Sequence, residues 1–150
     1  MKKFWFTFLP LIWFCCLSHA QIVVCYADSA DNYWGEAGTV VTPYVTYPTD
    51  LVGAYSRNRI SAVRLALGAE ATNVYLYIKQ DPHDAQPLYR QKVGNLAAGW
   101  HDIVLDTPFE IDGSQPVCLG YKASFAAAGG VAYSKVRHEG AGIIYYNRKN

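Results

Sequence analysis

The chain predicts an all-β fold: a two-sheet antiparallel sandwich of jelly-roll type with about eight or nine short strands. Three observations carry that expectation. β-Branched and aromatic segments recur throughout, turn signals separate them every ~8–12 residues, and no apolar pattern of helical period runs far enough to sustain a long helix. The composition agrees, because 12 tyrosines and 12 glycines favour strands and turns. Irregular loop lengths suit Greek-key crossings better than an up-and-down barrel.

The first twenty residues, MKKFWFTFLPLIWFCCLSHA, read as a secretory signal. Lys2 and Lys3 form a positive head, Phe4 to Leu17 an apolar run, and Ser18-His19-Ala20 places small residues at the two cleavage-sensing positions. The run is shorter than the ~20 residues that span a bilayer, and Pro10 interrupts it. Large residues ahead of Cys15 and Cys16 argue against a lipoprotein signal. The expectation is therefore a cleaved signal over 1–20 and one β-sandwich domain over 21–150, either self-contained or short of its last strands. The product would be secreted, periplasmic or on the cell surface, with no membrane insertion after cleavage.

Removing Lys2 and Lys3 takes the formal charge from +1 to −1, with both signs scattered. No basic stripe runs along the sequence, which argues against nucleic acid and anionic lipid as partners. Cleavage leaves Cys25 and Cys118. In an exported protein such a pair is read first as a disulfide, here closing about 90 residues and worth ~4 kcal/mol in the chain-entropy model. Two buried thiols that never meet are the alternative. No second cysteine or paired histidine lies close enough for a zinc motif.

QIVVCYA, from Gln21, is the first strand candidate, followed by the turn-rich DSADNYWGEAG. TVVTPYVTYP is β-branched and aromatic, but Pro43 and Pro48 each remove a ladder donor and place it at a sheet edge or bulge. DLVGAY offers one helical turn with Thr49 or Asp50 as N-cap. In RISAVRLAL, Val63, Leu65 and Leu67 share a face. In NVYLYIKQ, Val74, Leu76 and Ile78 face one way and Tyr75, Tyr77 and Lys79 the other. DPHDAQP is a turn by composition. QPLYRQKV and GWHDIVLD follow as strands separated by GNLAAG. PFEIDGSQP, with Asp112-Gly113 as a tight-turn pair, leads into VCLGYKASF; GGVAYSKV and GIIYYN end the series.

The polar residues of GWHDIVLDTPFEIDG invite a catalytic reading and do not sustain it. On a strand, His101 shares a side with Ile103 and Leu105, while Asp102 and Asp106 take the other, so His101 and Asp102 cannot pair as base and acid. His101 is expected at the margin of the core, donating to a backbone carbonyl. No GxSxG supplies a nucleophile. Asp102, Asp106, Glu110 and Asp112 could furnish a glycosidase pair, but a solvated sandwich edge predicts the same residues. Asp28, Asp31 and Asn32 in one loop, and Asp81 with Asp84 in another, are weak calcium ligands without EF-hand spacing; turn chemistry explains both. No cofactor is expected beyond such a structural calcium. Arg57, Arg59 and Arg64 could grip a carboxylate, but Ser56-Arg57-Asn58-Arg59 reads more simply as a polar turn before a strand; His83 and His138 read as surface positions.

The aromatics carry the binding reading. Tyr33 and Trp34 sit in a loop containing Gly and Asp, and Tyr75 and Tyr77 lie on the polar face of their strand. Exposed rings beside polar groups are what a sugar-binding face needs: the ring covers the apolar C–H face and polar groups take the hydroxyls. Trp100, after Gly99, is expected to pack at the start of its strand.

From Ile60 to Tyr121, the segments ISAVRLALG, ATNVYLYIKQD, PLYRQKV, AGWHDIVLDTPFEIDG and VCLGY resemble a β-sandwich module of secreted proteins of Gram-negative anaerobes. The module is similar to the adhesin-type domains attached to gingipain-like and streptopain-like cysteine proteinases. His101 stands where that pattern commonly has Asn. The resemblance implies a non-catalytic jelly roll for adhesion, binding a glycan or a host or matrix protein, often beside further domains of a longer polypeptide; it transfers no catalytic residue. A proteinase-associated inhibitor or folding partner is the alternative function, and a glycoside hydrolase a more remote one.

Overall fold

The computed structural model describes residues 29–134. Within them lie nine strands: β1 (Asn32–Trp34), β2 (Thr39–Val41), β3 (Tyr44–Tyr47), β4 (Arg59–Leu67), β5 (Ala71–Lys79), β6 (Tyr89–Leu96), β7 (Gly99–Glu110), β8 (Val117–Phe125) and β9 (Val131–Tyr133). A short helix, α1 (Thr49–Val52), and a 3-10 turn (Gly53–Tyr55) link β3 to β4. The strands form two antiparallel sheets, one ordered β1-β9-β4-β7, the other β2-β8-β5-β6 with β3 also on β8. β2 and β3 pair with opposite ends of β8 and are parted at Thr42-Pro43. Taken as one interrupted strand, they leave eight strands whose interleaved order, with consecutive strands mostly in opposite sheets, is that of a jelly roll. Pro43 thus falls at an edge, where a missing N–H costs no ladder bond.

The core lies between the sheets and is built by the period-2 alternation. Val74, Leu76 and Ile78 on β5 are at most 1% exposed and face Leu65 and Leu67 of β4 and Ile103 and Leu105 of β7 across the sandwich. Each such side chain contributes roughly 1.5–3 kcal/mol by leaving water. The same alternation turns Tyr75, Tyr77 and Lys79 to the outside of the second sheet.

Several elements differ from expectation. The candidate strands at Gln21 and GIIYYN, the signal segment, Cys25, Asp28 and His138 lie outside the described residues. Tyr33 and Trp34 are in strand β1 rather than a loop, paired with Ala132 and Val131. α1 is preceded by Pro48 with no side-chain cap; neither Thr49 nor Asp50 is its N-cap, because Pro48 already fixes the extended backbone there. GNLAAG is mostly strand: Gly94, at φ +103°, sits at the register shift between Val74 and Tyr75, so a bulge absorbs the glycine and only Ala97-Ala98 turns the chain. β7 runs on through Pro108 to Glu110, since its register against β4 shifts between Ile60 and Ala62 and the proline lies where the ladder is already broken. Asp112-Gly113 lies in an open bend, with Gly113 at φ +81° against Ser56.

Candidate functional site

The outer face of the second sheet collects the polar and aromatic residues of β8, β5 and β6. Because directly paired residues point the same way, the register defines rows across it. One row runs Lys122–Tyr75–Lys92, the next Gly120–Tyr77–Arg90, and a third joins Thr46, Cys118 and Lys79. Strands are spaced ~4.8 Å, so the backbones of Lys122 and Lys92 flank Tyr75 at roughly 10 Å from one another.

The rings are held by contacts with cations and with a glycine. The Arg90 guanidinium stands 4.6 Å from the centre of the Tyr75 ring and 5.9 Å from that of Tyr77, within cation–π range. Tyr44 lies flat across Gly120, where a methyl group would overlap its ring and come within 2.7 Å of Pro43 O. Lys79 Nζ sits 4.9 Å over Tyr44 and donates to Asp84 O at 2.6 Å and to Pro82 O at 3.3 Å. Lys79 is therefore consumed in tying the β5–β6 loop down. Arg90, Lys92 and Lys122 are exposed and make no ion pair among the described residues.

Under that loop Cys118 is buried as a free thiol, donating to Gln80 O at 3.0 Å and lying 3.3 Å from Thr46 Oγ1. Burial pushes the thiol above its ordinary value, against the opposing pull of the Thr46 contact. Burial, with Tyr77 and Cys118 adding to it, pushes the Tyr44 phenol up to about 12.

The four aromatic residues singled out from the sequence do not meet. Tyr75 and Tyr77 share the face just described. Tyr33 is 58% exposed on the outside of the other sheet, its ring resting on Gly68, which cannot carry a side chain there. Trp34, in register with the buried Val131 and Leu67, is turned towards the interior side at the sheet margin and is 42% exposed. Trp100 does not pack at its strand start: Leu65 and His101 take the inward side, which leaves Trp100 outside opposite Ala66 and 49% exposed.

His101 Nε2 donates to Ala97 O at 2.8 Å, while Asp102 points away from it and receives Arg64 in a two-pronged bond of 2.6 and 2.7 Å. That bond holds the Asp102 carboxyl below its ordinary range. Glu110 takes Arg59 at 3.3 Å. Asp31 accepts from Ser29 Oγ, and Asp81 and Asp84 accept backbone N–H groups of their own turn. Among the described residues no three His, Cys, Asp or Glu side chains are grouped as a metal site.

Arg90 and Lys92 on β6 are separated from Lys122 on β8 by β7 in sequence and brought onto one face by β5 in space. Compared with protein-family models, curated proteins and solved structures, the chain finds no match.

Proposed function

We propose that the protein is an exported, non-catalytic binding module that recognises a glycan on the outer face of the β2-β8-β5-β6 sheet. The observation that carries this reading is the row of outward tyrosines, Tyr75 and Tyr77, standing half-exposed among exposed basic side chains on a regular sheet. Ring surface and phenolic hydroxyls serve the C–H faces and hydroxyls of a sugar, and long cationic side chains close around its rim. The signal-like first twenty residues and the resemblance to adhesin-type modules support the same reading. So does the disposition of polar groups elsewhere: the His101 ring is bound to backbone, Asp102 and Glu110 are held by arginines, and Cys118 is buried. A glycan microarray probed with the exported protein tests it. Binding that is lost in both Tyr75→Ala and Tyr77→Ala is the expected result; binding to no glycan, or binding indifferent to both changes, rejects it.

A protein partner is the second reading, favoured by the outer face of the other sheet. There Trp100 and Val104, 49% and 72% exposed, flank the Arg64–Asp102 pair, an aromatic and aliphatic surface around a charge-assisted bond. Proteinase inhibition or co-purification abolished by Trp100→Ala would favour it over the glycan.

A further inference from the structure

We infer that the ligand of the tyrosine face is an acidic polysaccharide, carrying carboxylate or sulfate groups, gripped by Arg90, Lys92 and Lys122. The inference rests on the glycan reading above and specifies its chemistry.

The argument begins with where charge is spent. On the β1-β9-β4-β7 sheet, Arg59 and Arg64 are matched by Glu110 and Asp102 directly across the β4–β7 ladder. On the opposite sheet the corresponding cross-strand positions bring like charges towards one another: Lys122 and Lys92 flank the same residue, Tyr75, and Arg90 stands in the adjoining row. Cations gathered on one sheet face repel, at a cost to the fold, unless something neutralises them. Asp81 and Asp84, in the β5–β6 loop beside Lys79, accept backbone N–H groups of their own turn. No carboxylate stands on the rows formed by β8, β5 and β6 over this face.

The second part concerns shape. Lys122, Tyr75 and Lys92 make a line across three strands, and Gly120, Tyr77 and Arg90 a parallel line beside it. A chain of sugar units laid over Tyr75 and Tyr77 would meet a cation on either side, with charged groups placed repeatedly along its length. Beyond a register shift, the next paired row along β5 and β8 carries the hydroxyls of Thr72 and Ser124, with Val40 of β2 at its far end. A neutral glycan would leave the three cations uncompensated, whereas carboxylate or sulfate groups along the chain would meet them.

The test is retention of the full exported protein, at 50 and 300 mM NaCl, on immobilised heparin and polygalacturonate. Dextran serves as the neutral polymer and oligo-dT as the competing polyanion. The expected result is retention on one or both acidic polymers at low salt, released at the higher salt by screening, and weakened at least about tenfold by the double change Lys92→Gln/Lys122→Gln. Arg59→Gln, which removes the same kind of charge from the other sheet, leaves retention unchanged. All three positions of the double and control variants are exposed, so unaltered melting temperatures verify the fold. Retention of neutral glycans alone, lost in Tyr75→Ala but not in the lysine variant, would overturn the acidic ligand and keep the glycan reading. Retention of no glycan of either kind would overturn both. Oligo-dT held as tightly as the acidic polymers would also overturn the inference, marking the face as a surface for any polyanion.

Discussion

Gln91→Leu is the most informative single change to the scaffold, because Gln91 is a buried polar residue with three side-chain hydrogen bonds, two of them to β7. β7 ends its sheet, so its backbone groups facing away from β4 lack a strand partner. Gln91, only 8% exposed on β6 of the other sheet, takes that place: Nε2 donates to Val104 O at 3.1 Å and Oε1 accepts Asp106 N at 3.1 Å. Oε1 also accepts the Tyr89 hydroxyl at 2.7 Å. Three bonds at a net ~1 kcal/mol each give about 3 kcal/mol, and the apolar transfer of leucine returns about 1, leaving a loss of about 2 kcal/mol. For a domain of this size that lowers Tm by roughly 8 °C. Thermal melts followed by circular dichroism, with urea titration for ΔG, measure it. Tyr89→Phe removes one bond and leaves Asp106 N satisfied, so its cost should stay near 0.5–1 kcal/mol. A Gln91→Leu protein within 0.5 kcal/mol of the parent, or a Tyr89→Phe protein as unstable as Gln91→Leu, would refute the clamp.

Other expectations follow from buried polar groups. The Tyr121 hydroxyl is buried without a hydrogen-bond partner among the described residues, so Tyr121→Phe should hold or raise stability, by up to ~1–2 kcal/mol in a urea titration. Gly120→Val should displace Tyr44 and cost ~1–3 kcal/mol, read as a lower Tm together with loss of the Tyr44 contribution to near-ultraviolet circular dichroism. Burial raises the pKa of Tyr44, Tyr121 and Cys118, so the folded state holds these protons more tightly than the unfolded chain. Stability should therefore be intact below the ordinary thiol and phenol values of 9.0 and 10.0 and fall as pH rises past them, a trend that melts from pH 7 upward would show. Cys118 should resist iodoacetamide in the folded protein and react once urea unfolds it, whereas a Cys25–Cys118 peptide in mass spectrometry would establish the disulfide that the sequence suggests.

The sandwich was legible because its signal is local. Alternation in NVYLYIKQ and RISAVRLAL fixes which side chains face the core: the structure buries Val74, Leu76, Ile78, Leu65 and Leu67 and packs the partly buried Val63 against the cluster. The same rule turns His101 inward and Asp102 outward, as the structure has them. What alternation cannot supply is strand order. Lys122, Lys92 and Arg90 become neighbours only because β5 lies between β6 and β8, a long-range pairing that no residue in either segment announces. Tyr33 and Trp34 failed as a unit for a related reason: their strand of three residues turns adjacent side chains to opposite sides, and a composition read as loop carries no such rule. Gln91 was hidden as well, since a glutamine amid QPLYRQKV looks like an exposed strand residue until β7 supplies its backbone partners.

These hidden contacts bear directly on binding. The face of Tyr75 and Tyr77 is an assembly of side chains already fixed without ligand: Tyr44 is pressed onto Gly120, Lys79 pins the β5–β6 loop, and Arg90 is stacked on the rings. Gln91 holds β6, the strand carrying Arg90 and Lys92, to the opposite sheet through its inward side. Ordering each rotamer-rich side chain on binding costs ~0.5–1.5 kcal/mol, so a face ordered beforehand forfeits less of its contact energy. Lys92 and Lys122 are the exceptions, long and exposed with no ion pair among the described residues. Charge recognition should therefore be the adaptable part of the site and the aromatic rows its fixed part. Substituting the lysines should then change salt dependence and association rate, while substituting Tyr75 or Tyr77 should chiefly speed dissociation, a division that surface plasmon resonance on the acidic polymers resolves.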